Sequence, residues 1–213
     1  GRIRVFNLMS RLAGRHEVRQ FSQASSHDVR RAGFAEQMVL APNYVEYRHR
    51  HWLGTPVNAA MERVGFGMAV LSGHTLALAR PPRLSEWMDW ADVVVVDFPW
   101  QYAYCRSRAR GKPVVLASQN VQIEKAESGN RRLAAGWRAW IAALERHAVR
   151  DADLVLAVSE LDRQSFVRRY GADPAKIVTV PNGVDTRRYF PAGNAERAGL
   201  RRRLGLPEDR PLI

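Results

Sequence analysis

Asp97, Gln119, Asn120, Ser159 and Glu160 share one placement: each stands just past a short run of Val, Leu and Ala. Carboxylates and carboxamides accept or donate hydrogen bonds, the chemistry that holds a hydroxyl-rich ligand. Asp97 opens the string Asp97-Phe98-Pro99-Trp100, with Tyr102 close behind. Its aromatics suit a platform for a sugar or lipid headgroup, and they equally suit a cap over the core. Gln119 and Asn120 suit either ligand contact or a hydrogen-bonded turn. Ser159 with Asp162 fits an S-x-x-D helix start, where the hydroxyl accepts an orphan backbone N–H. That capping role coexists with phosphate binding, which a helix N-terminus also favours.

These residues need strands that end together. Asp153–Val158 and Ile177–Val180 are short and rich in β-branched or Leu residues. Between them, Leu161, Phe166, Val167 and Tyr170 lie roughly along one helical face, and Gly171 follows as a C-terminal stop. Asp173-Pro174 breaks the chain, so the segment reads as a βαβ unit. Further strands are expected at His16–Phe21, Gln37–Ala41, Asp92–Asp97 and Pro113–Ser118, with Asp92–Asp97 the clearest buried one. Helices are expected at Gly1–Ala13 and Arg132–Arg150. Alternation of this kind predicts an α/β, Rossmann-like open parallel sheet with helices on both faces and ligands at the carboxyl ends of its strands. Pro181-Asn182-Gly183 is a turn signal, and Asn182 and Gly183 are read as a structural hinge. Pro191–Asn194 reads as a linker, Arg197–Leu206 as a short basic helix, and residues 210–213 as the start of another strand.

Tyr44–Leu84 resists one pattern. It opens with Tyr47, Arg48, His49, Arg50, His51 and Trp52, read as an exposed basic patch, and continues apolar and Gly-interrupted. One helix, two short ones, or a helix with a loop all fit. Alternating His flanked by Arg is a poor metal site, because neighbouring cations disfavour another positive charge.

Composition removes several function classes. The 213 residues are 46% hydrophobic, enough for a sizeable core. No apolar run reaches the ~18 residues of a membrane span. Cys105 is the only cysteine, so neither an intramolecular disulfide framework nor a thiolate zinc site is available. The net charge of +12 is carried mostly by Arg and favours phosphates, nucleic acid or an anionic membrane. Nucleic acid is disfavoured, since the basic residues are spread along the chain and fall in no recognised module. No G-x-S-x-G elbow anchors a hydrolase triad. Glu124 and Glu127, three apart, suit a solvated helix face better than a glycosidase pair.

Three segments together resemble the family-4 retaining glycosyltransferases of GT-B architecture. They are Gly1–Val18 (GRIRVFNLMSRLAGRHEV), Lys112–Gln122 (KPVVLASQNVQ) and Ala152–Pro191, which contains the turn PNGVD at Pro181–Asp185. The resemblance implies hexose transfer from a nucleotide sugar to a glycan or lipid-linked acceptor, without metal or resident cofactor. It implies that residues 1–190 form the acceptor-side domain without its first strand, and that residues 191–213 lead toward a donor-binding domain. A lone half of this kind is expected to be inactive. Gly1 and Arg4 match the end of the family's phosphate-facing glycine-rich loop and the Arg after it. The family commonly has His where Gln119 stands, and Glu where Gln122 stands, so both departures remove titratable chemistry. Polysaccharide or glycolipid assembly in the cytoplasm, at the inner face of the membrane for lipid-linked acceptors, is the implied setting. The alternative reading is a non-catalytic peripheral membrane domain using Tyr44–Leu78.

Overall fold

The structure is a computed structural model that describes residues 2–24, 33–50, 70–128, 135–186 and 189–207, with 29, 56, 60 and 210 as single positions. Two compact units divide the chain, Gly1–Pro181 and Asn182–Ile213.

The first unit holds two sheets. A four-stranded, all-parallel sheet runs in the order β4-β5-β6-β7. Its strands are β4 (Val94–Val96), β5 (Val114–Ala117), β6 (Leu154–Ala157) and β7 (Ile177–Thr179). Helix α4 (Pro99–Arg108) joins β4 to β5; α5 (Gln122–Ser128) and α6 (Ala135–Asp151) precede β6; α7 (Glu160–Tyr170) precedes β7. This is the α/β organisation expected, and it brings the ends of β4, β5 and β6 into line. One row of the ladder crosses every strand: Val96 pairs with Leu116, Leu116 with Val155, and Val155 with Ile177. All four side chains are buried and pack in one cluster with Ile141 and Phe166. Each such burial contributes about 1.5–3 kcal/mol.

The expectation that Asp92–Asp97 is the clearest buried strand holds for one of its faces only. Val94 and Val96 are buried, but Val93 and Val95 are 49% and 42% exposed. Side chains alternate across a strand, so an all-Val run does not by itself establish a covered second face.

The second sheet has the order β1-β3-β2, from β1 (Val18–Gln23), β2 (Gln37–Ala41) and β3 (Tyr44–His49). β3 runs parallel to β1 and antiparallel to β2, so the single parallel sheet of the expectation is replaced here by a mixed one. The basic-patch reading of this stretch is also corrected: β3 is the central strand. Tyr44, Glu46 and Arg48 take one face and Val45, Tyr47 and His49 the other, following the period of two. The Glu46 carboxylate accepts from Ser22 Oγ at 2.7 Å, Gln20 Nε2 at 3.3 Å and Arg48 Nε at 3.0 Å. His49 packs on Phe21 with ring centroids 5.4 Å apart. His51 and Trp52 lie outside the described residues, as does most of Val57–Leu78.

Helix α1 (Arg2–Leu12) precedes β1 and closes with Ala13 N donating to Met9 O at 2.8 Å. Helix α2 (Ser72–Ala79) buries Ser72, Gly73, Thr75 and Leu76, and α3 (Pro82–Trp90) buries Leu84, Trp87 and Met88. No helix among the described residues is long and apolar enough to cross a membrane. α2 crosses α4 so closely that a Cβ on Gly73 would stand 2.0 Å from the Trp100 carbonyl oxygen. Gly73→Ala is therefore expected to destabilise the fold by about 1–3 kcal/mol, read as a lower urea midpoint with unchanged slope.

In α7 the expected caps are present: Ser159 Oγ accepts from Asp162 N at 3.1 Å, and Gly171 adopts a left-handed φ of 62°. Phe166 and Tyr170 are buried as expected, but Leu161 is 74% exposed. Five residues separate Leu161 from Phe166, about 140° around the helix, so Leu161 points away from their face. In the second unit α8 (Asn194–Arg203) begins three residues before the expected basic helix. Residues 211–213, read as the start of a strand, lie outside the described residues.

Candidate functional site

At the carboxyl ends of the parallel strands three polar side chains from separate elements come together. Asp97 follows β4, Gln119 follows β5, and Arg4 projects from α1. Gln119 Nε2 donates to Asp97 Oδ1 at 3.5 Å. Arg4 Nη2 donates to the backbone oxygen of Val180, just past β7, at 2.7 Å. Burial pushes the Asp97 carboxyl up to about 6; the Gln119 hydrogen bond and the Arg4 charge offset this only in part. Burial likewise lowers the Arg4 pKa, against the charge of Asp97. Tyr44 borders the same group. Its hydroxyl donates to Gln20 Oε1, and its pKa is raised to about 12 by burial first, then by the charges of Glu46 and Asp97. The result is a recessed carboxyl raised to about 6, beside a carboxamide and within the field of a guanidinium. Such a cluster can hold a ligand hydroxyl at Asp97 and Gln119 and an anionic group toward Arg4.

The other candidates fall differently. Trp100 is 5% exposed and stacks on Phe98 with centroids 5.3 Å apart at 9°. Tyr102 is fully buried, and its hydroxyl donates to Asp151 Oδ2 at 2.9 Å. Both belong to the core, because Pro99 starts a helix instead of a loop and turns them inward; the half-buried Phe98 is the aromatic left beside Asp97. Asn120 is half-buried, and its backbone oxygen accepts from Ser118 Oγ at 2.7 Å, the geometry of a hydrogen-bonded turn. Ser159 is the α7 cap. Ser159→Ala should cost about 1 kcal/mol in a denaturation experiment, and Ser159→Gly only a few tenths. Glu160 is exposed, accepts from Arg163, Gln164 and Thr179, and is held below the usual carboxylate range chiefly by Arg163. Gly1 lies outside the described residues. Asn182 and Gly183 are exposed in the second unit, and a Cβ on Gly183 would meet open space.

Glu124 and Glu127 face a single cation: Arg169 donates to them at 3.0 and 3.1 Å. Cys105 is half-buried among apolar neighbours, and desolvation pushes its thiol up to about 12, away from a thiolate nucleophile. Among the described residues no group of three or more His, Cys, Asp or Glu is placed to hold a metal ion.

Glu145 went unnoticed in the sequence. From the middle of α6 its carboxylate accepts from the backbone N–H groups of Gln122 and Ile123 at 2.6 and 3.2 Å, and from the Tyr170 hydroxyl at 2.7 Å. It thereby caps α5, the helix that follows Gln119 and Asn120, and ties it to α6 and α7. Burial raises its pKa against those three hydrogen bonds. A signal was present: Ile141, Glu145 and Ala148 share one helical face, and an acid among core positions calls for a partner.

This architecture is that of the GT-B glycosyltransferases. Sucrose-phosphate synthase from Thermosynechococcus elongatus superposes with a TM-score of 0.61 at 13% identity, over 95% of this chain and 46% of that one. The chain belongs to Glycosyltransferase Family 4, whose family model matches residues 2–188. A D-inositol 3-phosphate glycosyltransferase of Kineococcus radiotolerans is 42% identical over 69 residues, 32% of this chain and 15% of that protein. The enzyme of the same name from Salinispora arenicola is 40% identical over 104 residues, 46% of this chain and 22% of that protein. An alpha-maltose-1-phosphate synthase of Mycolicibacterium smegmatis is 32% identical over 106 residues, 48% of this chain and 26% of that protein. The chain thus matches only about a quarter or less of the length of these curated relatives.

Proposed function

We propose that this chain is the acceptor-side domain of a retaining glycosyltransferase that moves a hexose from a nucleotide sugar to a glycan or lipid-linked acceptor. The observation that carries this reading is the cluster of Asp97, Gln119 and Arg4 at the strand ends of a family-4 domain. In the reaction an acceptor oxygen bonds to the sugar carbon, the bond from that carbon to the diphosphate breaks, and the acceptor proton is released. Asp97, when ionised, accepts a hydrogen bond from an acceptor hydroxyl. Gln119 orients that carboxylate and offers its own carboxamide to a neighbouring hydroxyl. Arg4, anchored on Val180, sets a positive charge toward a phosphate of donor or acceptor. Closing a second domain over this surface excludes water and completes stabilisation of the leaving diphosphate, so the 213 residues alone should not turn over.

The test is activity in a protein that carries this chain together with the donor-binding half. Gln119→Ala should lower kcat/KM by about 10–100-fold, through loss of a hydrogen bond made in a low-dielectric site. An unchanged kcat/KM would remove the strand-end cluster from the mechanism.

A further inference from the structure

A second polar feature lies on the outer surface of the helical layer, away from the strand ends. α5, α6 and α7 enclose an open groove of about 310 Å³. Its floor is small: Ala139 and Ala142 of α6 leave room that larger side chains would fill. Arg138 and Arg146 rise from either end of that floor, two helical turns apart on one side of α6. Arg169 of α7 forms the opposite wall, held by Glu124 and Glu127. Tyr170, fixed from behind by Glu145, closes the end.

The charges in the groove are unequal. Glu127 also lines it, and both it and Glu124 are engaged by Arg169, so these three side chains together carry one negative charge. Arg138 and Arg146 are exposed, have no carboxylate of their own among the described salt bridges, and turn the balance of the groove positive. Guanidinium groups bind phosphate oxygens in pairs of hydrogen bonds, so two exposed arginines lining one groove suit a phosphate-bearing anion. Arg169 stands nine residues along α7 from Glu160, about 14 Å from the strand ends, so this is not the Asp97 site.

We propose that this groove binds a small soluble phosphate-bearing anion, with Arg138 and Arg146 as its ligands and the carboxylate-bound Arg169 as the opposite wall. The recess favours a compact dianion or diphosphate over a flat anionic surface. None of these residues belongs to the Asp97, Gln119 and Arg4 cluster, so the inference stands or falls apart from the function proposed above.

The test titrates inorganic pyrophosphate into the 213-residue chain at about 0.15 M salt, followed by calorimetry and by amide shifts. Saturable binding is expected, with the largest shifts at the amides of Ala139 and Ala142. The double variant Arg138→Ala/Arg146→Ala should weaken it at least about tenfold through loss of charge-assisted hydrogen bonds. A control with the same change in net charge, Arg11→Ala/Arg15→Ala on exposed positions of and just past α1, should change it less than about threefold. Equal weakening in both variants, the absence of saturation, or shifts confined to the strand ends would overturn the proposal. So would binding to phosphatidylglycerol vesicles without binding of pyrophosphate.

Discussion

Asp97→Asn is expected to make the folded chain more stable at pH 8 while removing the proposed acceptor contact. Burial raises the Asp97 carboxyl from 3.8 to about 6, with Gln119, Arg4 and Tyr44 the polar groups around it. A carboxyl raised on folding favours the folded state when protonated. That contribution is fully present below pH 3.8 and is lost as pH rises through about 6. Above that window the ionised, buried group costs about 3 kcal/mol, from a shift of about 2 pH units at about 1.4 kcal/mol each. Asn carries no charge and still reaches Gln119. Thermal unfolding at pH 8 should therefore shift upward by on the order of 5–10 °C, and the variant's advantage should shrink toward zero near pH 4. In a protein competent for transfer the same substitution should lower activity and abolish a rise in rate through pH 6. A variant no more stable than the parent at pH 8 would mean that Asp97 is well solvated, and its placement in a recessed site would be wrong.

The second large effect concerns Glu145. Glu145→Ala leaves two backbone N–H groups at the start of α5 and the Tyr170 hydroxyl without their acceptor. Stranding buried donors of this kind costs about 3–5 kcal/mol in total. Glu145→Gln keeps one acceptor oxygen and should cost roughly half as much. Tyr170→Phe, which removes a single donor, should cost less again. Urea unfolding of the three variants checks the order Ala, Gln, Phe. Loss of α5 capping should also loosen the segment carrying Gln119 and Asn120, seen as faster amide exchange at Gln122 and Ile123 than in the other variants. If Glu145→Ala unfolds at the parental midpoint, the carboxylate is not what holds these three helices together.

The ends of the α7 segment were legible, although Leu161 was assigned to the wrong face. Ser159, Gly171 and Asp173-Pro174 are local signals, and each does locally what its chemistry predicts. β2 at Gln37–Ala41 was legible for the same reason, as a short apolar run between breakers. β3 was not. Its Arg48 and His49 look like surface residues until Glu46, Ser22 and Phe21 from the same sheet are placed beside them, and that pairing spans more than twenty residues of chain. The proposed cluster was partly legible. Asp97 and Gln119 were picked out by the rule that ligands gather at strand ends, and of the two readings open for the aromatic string, platform or core cap, Trp100 and Tyr102 take the core. Pro99 at the first turn of α4 was the available warning, since Pro there starts a helix and turns the following aromatics inward. Glu145 was hidden because its partners are backbone N–H groups, which leave no trace in side-chain spacing.

The proposed division of labour, acceptor on this chain and donor elsewhere, is tested most directly by calorimetric titration of nucleoside-diphosphate hexoses into two proteins. One is the 213-residue chain; the other is the same chain joined to its own natural flanking sequence. Saturable donor binding by the longer protein alone is the predicted result, and the hexose that binds identifies the donor. Equal binding by the short chain would contradict it, because the donor site would then lie within these residues.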